Sequence, residues 1–125
     1  MNEKIVKVLI IFLACAVVSC AKAINIPLAP EVVVHFSEDT SQQVRLSEAD
    51  KAYVELRTWL NKHQSDWYTT SGTYPGGIYL KTGDYGIQIM ETQLVLYSTQ
   101  YEKPRAMYIQ NIKADELLVM KTLGK

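Results

Sequence analysis

Hydrophobic residues follow three patterns along this chain. Residues 8–18 form an unbroken run of apolar or small side chains. Between residues 49 and 60 the apolar positions recur at steps of three and four, which is the spacing of one face of an α-helix. From residue 78 onward, short apolar and β-branched runs are separated by polar or glycine-containing breaks, as in successive β-strands. The pattern therefore predicts one main helix and a group of strands behind an apolar N-terminal segment.

The helical spacing predicts an amphipathic helix over residues 47–63. Ser47 stands at the predicted N-cap, and Asp50 follows three residues later in the capping-box position. We expect the apolar stripe, which contains Trp59, to pack on a sheet. The predicted stripe consists of Ala49, Ala52, Tyr53, Leu56, Trp59 and Leu60.

Short β-branched and aromatic runs predict the strands. Residues 32–36 form one strand, and residues 42–46 alternate weakly, so they are either a second strand or the entry to the helix. Gly83-Asp84 is a hairpin signal, because glycine adopts the positive φ of tight turns. Residues 91–93 lack Gly or Asn and are either a second turn or a bulge in one long strand. The remaining predicted strands are 78–82, 85–90, 94–98 and 105–112.

A short helix over residues 115–123 is predicted to close the chain, with Leu117, Met120 and Leu123 facing inward. Together these elements predict an α+β fold, in which an antiparallel meander of about four to five strands is packed by the main helix and the C-terminal helix. The length of the chain suits one small domain over residues 31–125.

The N-terminus has the layout of a secretory signal peptide, with Lys4 and Lys7 preceding the apolar run. That run is shorter than the roughly 20 residues of a membrane span. It ends in Val17-Val18-Ser19-Cys20, which resembles the lipobox of bacterial lipoproteins: an aliphatic residue, a small or aliphatic residue, a small residue and then cysteine. The resemblance covers the first twenty or so residues, and we identify no family for the rest of the chain.

The resemblance implies that residues 1–19 are removed and that Cys20 becomes a lipidated N-terminus in the membrane of the cell envelope. In a Gram-negative cell, Ala21 after the cysteine favours the outer membrane, with the domain facing the periplasm. In a Gram-positive cell the domain would lie outside the cytoplasmic membrane. Residues 20–30 are then a lipid-anchored tether, kept extended by Pro27 and Pro30. Ten such residues reach at most about 35 Å.

Other interpretations of this segment remain open. Cys15 follows Phe12-Leu13-Ala14 and could end a rival lipobox, although phenylalanine suits the aliphatic position less well. An uncleaved anchor, or an ordinary signal-peptidase cut after Ala21 or Ala23, are further alternatives, because short motifs also occur by chance.

Composition and net charge limit the classes of function that fit this chain. Removing Lys4, Lys7 and Glu3 from 13 basic and 13 acidic residues leaves 11 and 12, a net charge of −1. Neither a nucleic-acid partner nor a polybasic lipid-binding surface is expected, because both need clustered basic residues. The two cysteines, Cys15 and Cys20, precede the domain, so no disulfide is expected there. The eight tyrosines suit half-buried sheet positions and are also common in interfaces.

Catalytic and metal-binding patterns are weak. The histidines are His35 in a predicted strand and His63 at a predicted helix end, where an imidazolium favours the helix dipole. A catalytic triad needs a histidine with an acid partner and an exposed serine, and we expect no catalytic residues. His35 with Glu38 and Asp39 could in principle hold a divalent ion. Ligand sets of this kind are common by chance, so we expect no metal and no cofactor.

Residues 69–77 are glycine-rich and contain Pro75, which predicts a loop. The segment lacks the Gly-Lys-Ser/Thr ending of a phosphate-binding P-loop. Trp67, Tyr68 and Tyr74 lie in or beside it and form the candidate binding surface, since large aromatics on surface loops are common interface anchors. Trp67 could equally close the end of the core.

These observations predict a non-enzymatic, membrane-anchored envelope lipoprotein whose domain binds a protein or an envelope component. One alternative is an immunity or inhibitor lipoprotein that blocks a periplasmic toxin or lytic enzyme, which is an analogy with small exported lipoproteins. Another is a small-ligand carrier or enzyme, which would need a deep pocket with convergent polar groups.

Overall fold

Seven strands form one antiparallel sheet in the computed structural model, which describes residues 23–36, 41–100 and 105–123. Two helices accompany the sheet in these ranges. The α+β prediction is confirmed, with one main helix and one short C-terminal helix, although the expected four to five strands were too few. The elements are β1 (Glu31–Phe36), β2 (Gln43–Ser47), α1 (Lys51–Lys62), β3 (Tyr68–Thr69), β4 (Ile78–Thr82), β5 (Tyr85–Ile89), β6 (Gln93–Ser98), β7 (Arg105–Asn111) and α2 (Leu118–Lys121).

The strand order is β2-β1-β4-β5-β6-β7-β3, and every neighbouring pair is antiparallel. Strands β4 to β7 are the predicted meander. Of the two alternatives for residues 91–93, the turn is present: residues 91 and 92 connect β5 to β6, which begins at Gln93, and the Met90 amide donates to the Gln93 carbonyl at 2.9 Å. The weakly alternating segment is also a strand, β2, because it pairs with β1 along its length, Val32 opposite Leu46 and Val34 opposite Val44.

Strand β3 is the one that the sequence did not predict. It is two residues long, with Tyr68 opposite Ile109 and Thr69 opposite Tyr108 on β7. Two residues are too few to show an alternating pattern, and the glycine-rich segment that follows them indicated a loop. Tyr68 and Thr69 favour β structure but are too few to predict a strand on their own, so pairing with the edge of β7 makes this strand.

Helix α1 begins four residues later than predicted. Ser47 is the last residue of β2 and pairs with Glu31, so it does not cap the helix, and Asp50 occupies the N-cap position. The Asp50 carboxylate accepts from the Ser47 amide at 2.7 Å, and the Asp50 amide donates to the Ser47 carbonyl at 3.0 Å. The expected Ser–Asp partnership therefore closes a turn between β2 and α1. Neither helix in the described ranges is long and apolar enough to cross a membrane.

The hydrophobic core lies between α1 and one face of the sheet, which we call the inner face. Of the predicted stripe, Ala49 is exposed in the turn before α1. The other five stripe residues are buried, as predicted. The inner face contributes fully buried aliphatic side chains from the central strands. These are Val34, Leu80, Ile87, Leu94 and Leu96.

The C-terminal helix is shorter than predicted. Leu117 has a φ of 58°, a left-handed conformation that cannot continue into a right-handed helix, so α2 begins at Leu118 rather than at residue 115. Leu117 and Met120 are buried and Leu123 is half-buried, as predicted. The Glu55 carboxylate of α1 accepts from the Met120 amide at 3.0 Å, which ties the two helices together.

Residues 24–29, which are part of the predicted lipid-anchored tether over 20–30, pack on the domain. Ile26 is 5% exposed and belongs to the core. The Ile24 amide donates to the Gln64 carbonyl at 2.6 Å, and the Ala29 amide donates to Thr82 Oγ1 at 2.8 Å. Ile24, Ile26 and Leu28 alternate along the segment and give it an apolar face. This face was not predicted, because the two prolines indicated a tether. The predicted lipidation site, Cys20, lies outside the described residues.

Candidate functional site

The chain crosses the sheet twice after β2, once on each face. Helix α1 covers the inner face on the way from β2, at one edge, to β3 at the other. The chain must then return from β3 past β7, β6 and β5 to reach β4, a distance of about 19 Å at the usual strand spacing. Residues 70–77, which we call the strap, make this return over the opposite, outer face. The predicted loop is therefore part of the packing of the sheet.

Gln88 on β5 holds the strap in place. Its Nε2 donates to the carbonyls of Tyr74 and Gly76, both at 2.7 Å, and its Oε1 accepts from the Tyr97 hydroxyl. Gln88 is 7% exposed, so these bonds replace lost hydration. At the first end of the strap, the Thr70 amide donates to the Met107 carbonyl at 2.9 Å. The strap backbone is thus bonded to both β5 and β7.

Two tyrosines pack beside this amide on the outer face. Tyr79 lies across Gly86, where an added Cβ would stand 2.7 Å from Tyr79 Cζ. Its ring meets the Tyr97 ring edge to face, with centroids 6.0 Å apart and an interplanar angle of 68°. Gly86 is therefore needed because it leaves room for the Tyr79 ring above the sheet.

The phenols of this cluster stay protonated at neutral pH. Burial raises the pKa of Tyr79 above its ordinary value of 10.0. Burial also raises the pKa of Tyr97, and charge repulsion from Tyr79 and Tyr74 adds to the effect. The outer face consequently presents aromatic rings and neutral hydroxyls, which suit packing and hydrogen bonding more than proton abstraction.

One row of side chains runs across the outer face from the edge strand β3 to β1, which lies next to the other edge strand, β2. The strand register aligns Tyr68, Ile109, Val95, Gln88, Tyr79 and His35. Val95 is fully buried although it lies outside the core cluster, which indicates that the strap shields the centre of the row. The two ends are more accessible: Tyr68 is 59% exposed, and Ile109, Tyr79 and His35 are half-buried.

The structure separates the three predicted binding residues. Trp67 is 2% exposed and meets Trp59 edge to face at 6.0 Å, so it closes the core, the alternative that the sequence left open, and is not available to a binding surface. Trp67 and Tyr68 are consecutive residues of an extended chain and therefore point to opposite sides of the sheet. Tyr68 lies on the outer face, and Tyr74 lies on the strap, where its hydroxyl shares a hydrogen bond with Thr70 Oγ1.

Within the part of the chain that the structure describes, neither histidine joins a metal-binding group. In residues 23–36, 41–100 and 105–123, no group of three or more His, Cys, Asp or Glu side chains could hold a metal ion. Glu38 and Asp39, which the sequence placed beside His35, lie outside the described residues. His63 forms the C-cap of α1, as its sequence position predicted, and stacks on Trp59 with ring centroids 4.3 Å apart.

A second polar cluster lies on the helix side of the domain. Glu116 accepts from the Trp59 indole at 2.8 Å and from the Lys113 amide at 2.9 Å. The Lys113 amide, the Trp59 indole and the nearby His63 lower the pKa of Glu116 below its ordinary value of 4.5, outweighing the opposing effect of burial. This cluster joins the end of α1 to the turn before α2, which is a structural role.

The sequence contains a signal for the outer-face residues. Tyr79, Gln88 and Tyr97 occupy the strand positions that alternate with the buried aliphatic residues of β4, β5 and β6. Aromatic residues at two of these three outward positions would have indicated a second packed face. The partners of Gln88 could not be predicted, since they come from the strap.

Comparisons with protein-family models, with curated proteins and with solved structures find no match to this chain. The functional interpretation therefore depends on the geometry of the outer face and on the N-terminal sequence.

Proposed function

We propose that the chain is a non-enzymatic envelope lipoprotein, anchored through Cys20, whose domain binds a protein partner on the outer face of the sheet. The observation that carries the proposal is the exposure of the Tyr68 side chain. Its side chain is 59% exposed at the sheet edge, beside the half-buried Ile109 and at one end of the row of side chains that crosses the outer face. Among the described residues, no helix covers this face.

The setting of Tyr68 suits a binding anchor. The adjacent Trp67 is buried in the core, and the Thr70 amide bonds to Met107, so the backbone on both sides of Tyr68 is held. A fixed backbone reduces the entropy that a side chain loses on binding. Tyrosine also offers a large apolar ring and a hydroxyl, a combination that is enriched in protein interfaces.

The location follows from the sequence. The Val17-Val18-Ser19-Cys20 segment resembles a lipobox, and Ala21 favours the outer membrane facing the periplasm if the cell is Gram-negative. The near-neutral charge of the mature chain also favours a protein partner over nucleic acid, which would need a clustered basic face.

Site-specific crosslinking in intact cells tests the proposal. A photo-reactive amino acid replaces Tyr68 in one variant and Thr58, which is exposed on α1, in a matched variant. We expect one protein to be captured from Tyr68 and not from Thr58, and to be lost when Cys20→Ala removes the anchor. Equal capture from both positions would contradict a partner on the outer face.

The captured partner then allows a binding measurement. We expect Tyr68→Ala to weaken its affinity by about ten-fold or more, as for an interface anchor, with an unchanged unfolding midpoint. Thr58→Ala should leave the affinity unchanged. If the partner is a toxin or a lytic enzyme, its inhibition by the purified domain would select the inhibitor form of this function.

A further inference from the structure

The docked N-terminal segment determines which end of the domain lies nearest the anchor. Ile24 is bonded to Gln64, just beyond the C-terminal end of α1. Ala29 is bonded to Thr82, at the end of β4, and its carbonyl accepts from the Tyr53 hydroxyl at 2.8 Å near the start of α1. The segment therefore runs along α1 in the opposite direction to the helix.

The lengths of the two elements agree with this arrangement. Five extended residue steps from Ile24 to Ala29 cover about 17 Å. The twelve residues of α1 cover about 18 Å. The domain accordingly has two ends: one at Gln64, where the docked segment begins, and one at the Gly83-Asp84 turn, which follows Thr82.

We infer that the end of the domain around residues 61–66 faces the phospholipid headgroups of the anchoring membrane. The inference depends on the proposed lipidation of Cys20. Four residue steps separate Cys20 from Ile24, and they span at most about 14 Å. A free tether over residues 20–30 would have reached about 35 Å and allowed any orientation. Docking of residues 24–29 removes most of that freedom.

The surface chemistry of this end suits headgroup contact without insertion. Asn61, Lys62, Gln64, Ser65 and Asp66 are all exposed and polar. Lys62 and Asp66 carry opposite charges, so the short reach of the chain, rather than attraction to anionic lipid, holds this end near the membrane. We therefore expect the orientation to persist at high salt.

Fluorescence quenching by labelled lipid tests the orientation. The lipidated protein carries a thiol-reactive fluorophore at Gln64→Cys or, in the matched variant, at Asp84→Cys. Both positions are exposed, and the natural Cys20 is blocked by lipid. In vesicles of phosphatidylethanolamine and phosphatidylglycerol with nitroxide-labelled headgroups, we expect at least about three-fold stronger quenching at Gln64, because the two sites are separated by about 17 Å or more.

A longer linker provides the control. An insertion of about twelve Gly/Ser residues after Ala23 leaves the docked segment intact and lengthens the reach of the anchor. We expect the difference between the two sites to disappear in this variant. Equal quenching in the natural chain, or a difference that survives the insertion, would overturn the inference.

Mass spectrometry of the N-terminal peptide separates this inference from the function on which it rests. An acylated Cys20 with equal quenching at both sites overturns the orientation alone. An N-terminus without lipid overturns both the anchor and the orientation.

Discussion

Trp67 and Tyr68 show how much one residue step changes a role within a strand. Both are large aromatics beside the same loop, yet one is 2% exposed and the other 59%. The difference follows from the period-two alternation of extended chain. Trp67 joins Trp59 in the core, although its indole Nε1 has no hydrogen-bond partner there among the described residues. Composition could indicate that the aromatic residues of this region serve in the core or in an interface, but only strand pairing assigns each one to a face of the sheet.

Trp59 is predicted to be the most sensitive core position on α1. It is 6% exposed, stacks on His63, and donates its indole N–H to Glu116. Trp59→Ala should lower the free energy of unfolding by about 3–5 kcal/mol, as for other buried aromatics. Urea denaturation measures this loss. Thr58→Ala, one residue earlier and exposed, should change the unfolding free energy by less than about 0.5 kcal/mol. A small effect of Trp59→Ala would contradict the observed packing.

Glu116 should make the stability depend on acid pH. Its pKa is lowered in the folded state, mainly by the Lys113 amide, so its contribution is complete above the unfolded value of about 4.5. The contribution is lost as the pH falls through the folded pKa. The stability difference between wild type and Glu116→Gln should therefore be largest near neutral pH and shrink below 4.5. Urea midpoints across this range measure it, and a constant difference would exclude Glu116 as the cause.

At the scale of helices and strands, long-range pairing and topology modified what the local sequence signals predicted. The predicted capping box at Ser47 does not form: Ser47 and Asp50 are partners, as expected, but β2 pairing extends through Ser47 and moves the helix start to Lys51. The strap was correctly predicted as a loop. Its position over the outer face follows from topology, because β3 and β4 lie on either side of three other strands.

Loss of the Gln88 amide should release the strap. Gln88→Met keeps a similar volume but removes the bonds to Tyr74, Gly76 and Tyr97, so we expect a loss of about 2 kcal/mol. Amide hydrogen exchange within residues 70–77 should become faster. Tyr97→Phe removes a single bond and leaves the strap carbonyls paired, so exchange there should change little. Equally fast exchange in both variants would contradict a specific role for Gln88.

At the scale of the whole molecule, the chain before β1 is part of the folded unit. The prolines at 27 and 30 indicated extended chain, and an extended chain can also lie against a domain and bury its apolar face. Ile26 does so, and Thr82 Oγ1, which accepts from the Ala29 amide and donates to the Pro27 carbonyl at 3.1 Å, holds the backbone.

A shortened protein tests whether the chain before β1 is part of the folded unit. Starting the chain at Glu31 removes the burial of Ile26, about 1.5–3 kcal/mol, and several hydrogen bonds of about 1 kcal/mol each. We expect the unfolding free energy to fall by about 4–6 kcal/mol relative to a protein that starts at Ala23. Equal urea midpoints for the two proteins would restore the free-tether prediction.

The sequence by itself determined the elements whose signals are local. The stripe of α1, the meander with its Gly83-Asp84 turn and the α+β class were predictable because periodicity and turn chemistry act over a few residues. The resemblance at Cys20 is local in the same way. For the candidate site, sequence identified Tyr68 and Tyr74 but not the other outer-face residues Tyr79, Gln88 and Tyr97.

Tertiary structure alone decided the rest, since it depends on contacts between residues far apart in the chain. The edge strand β3 exists through pairing with β7, forty residues later. Hydrogen bonds from Gln88 hold the strap in position, and hydrogen bonds to Gln64 and Thr82 hold the N-terminal segment. Such pairings depend on which surfaces remain unpaired after the local elements have formed, and no short stretch of sequence contains that information.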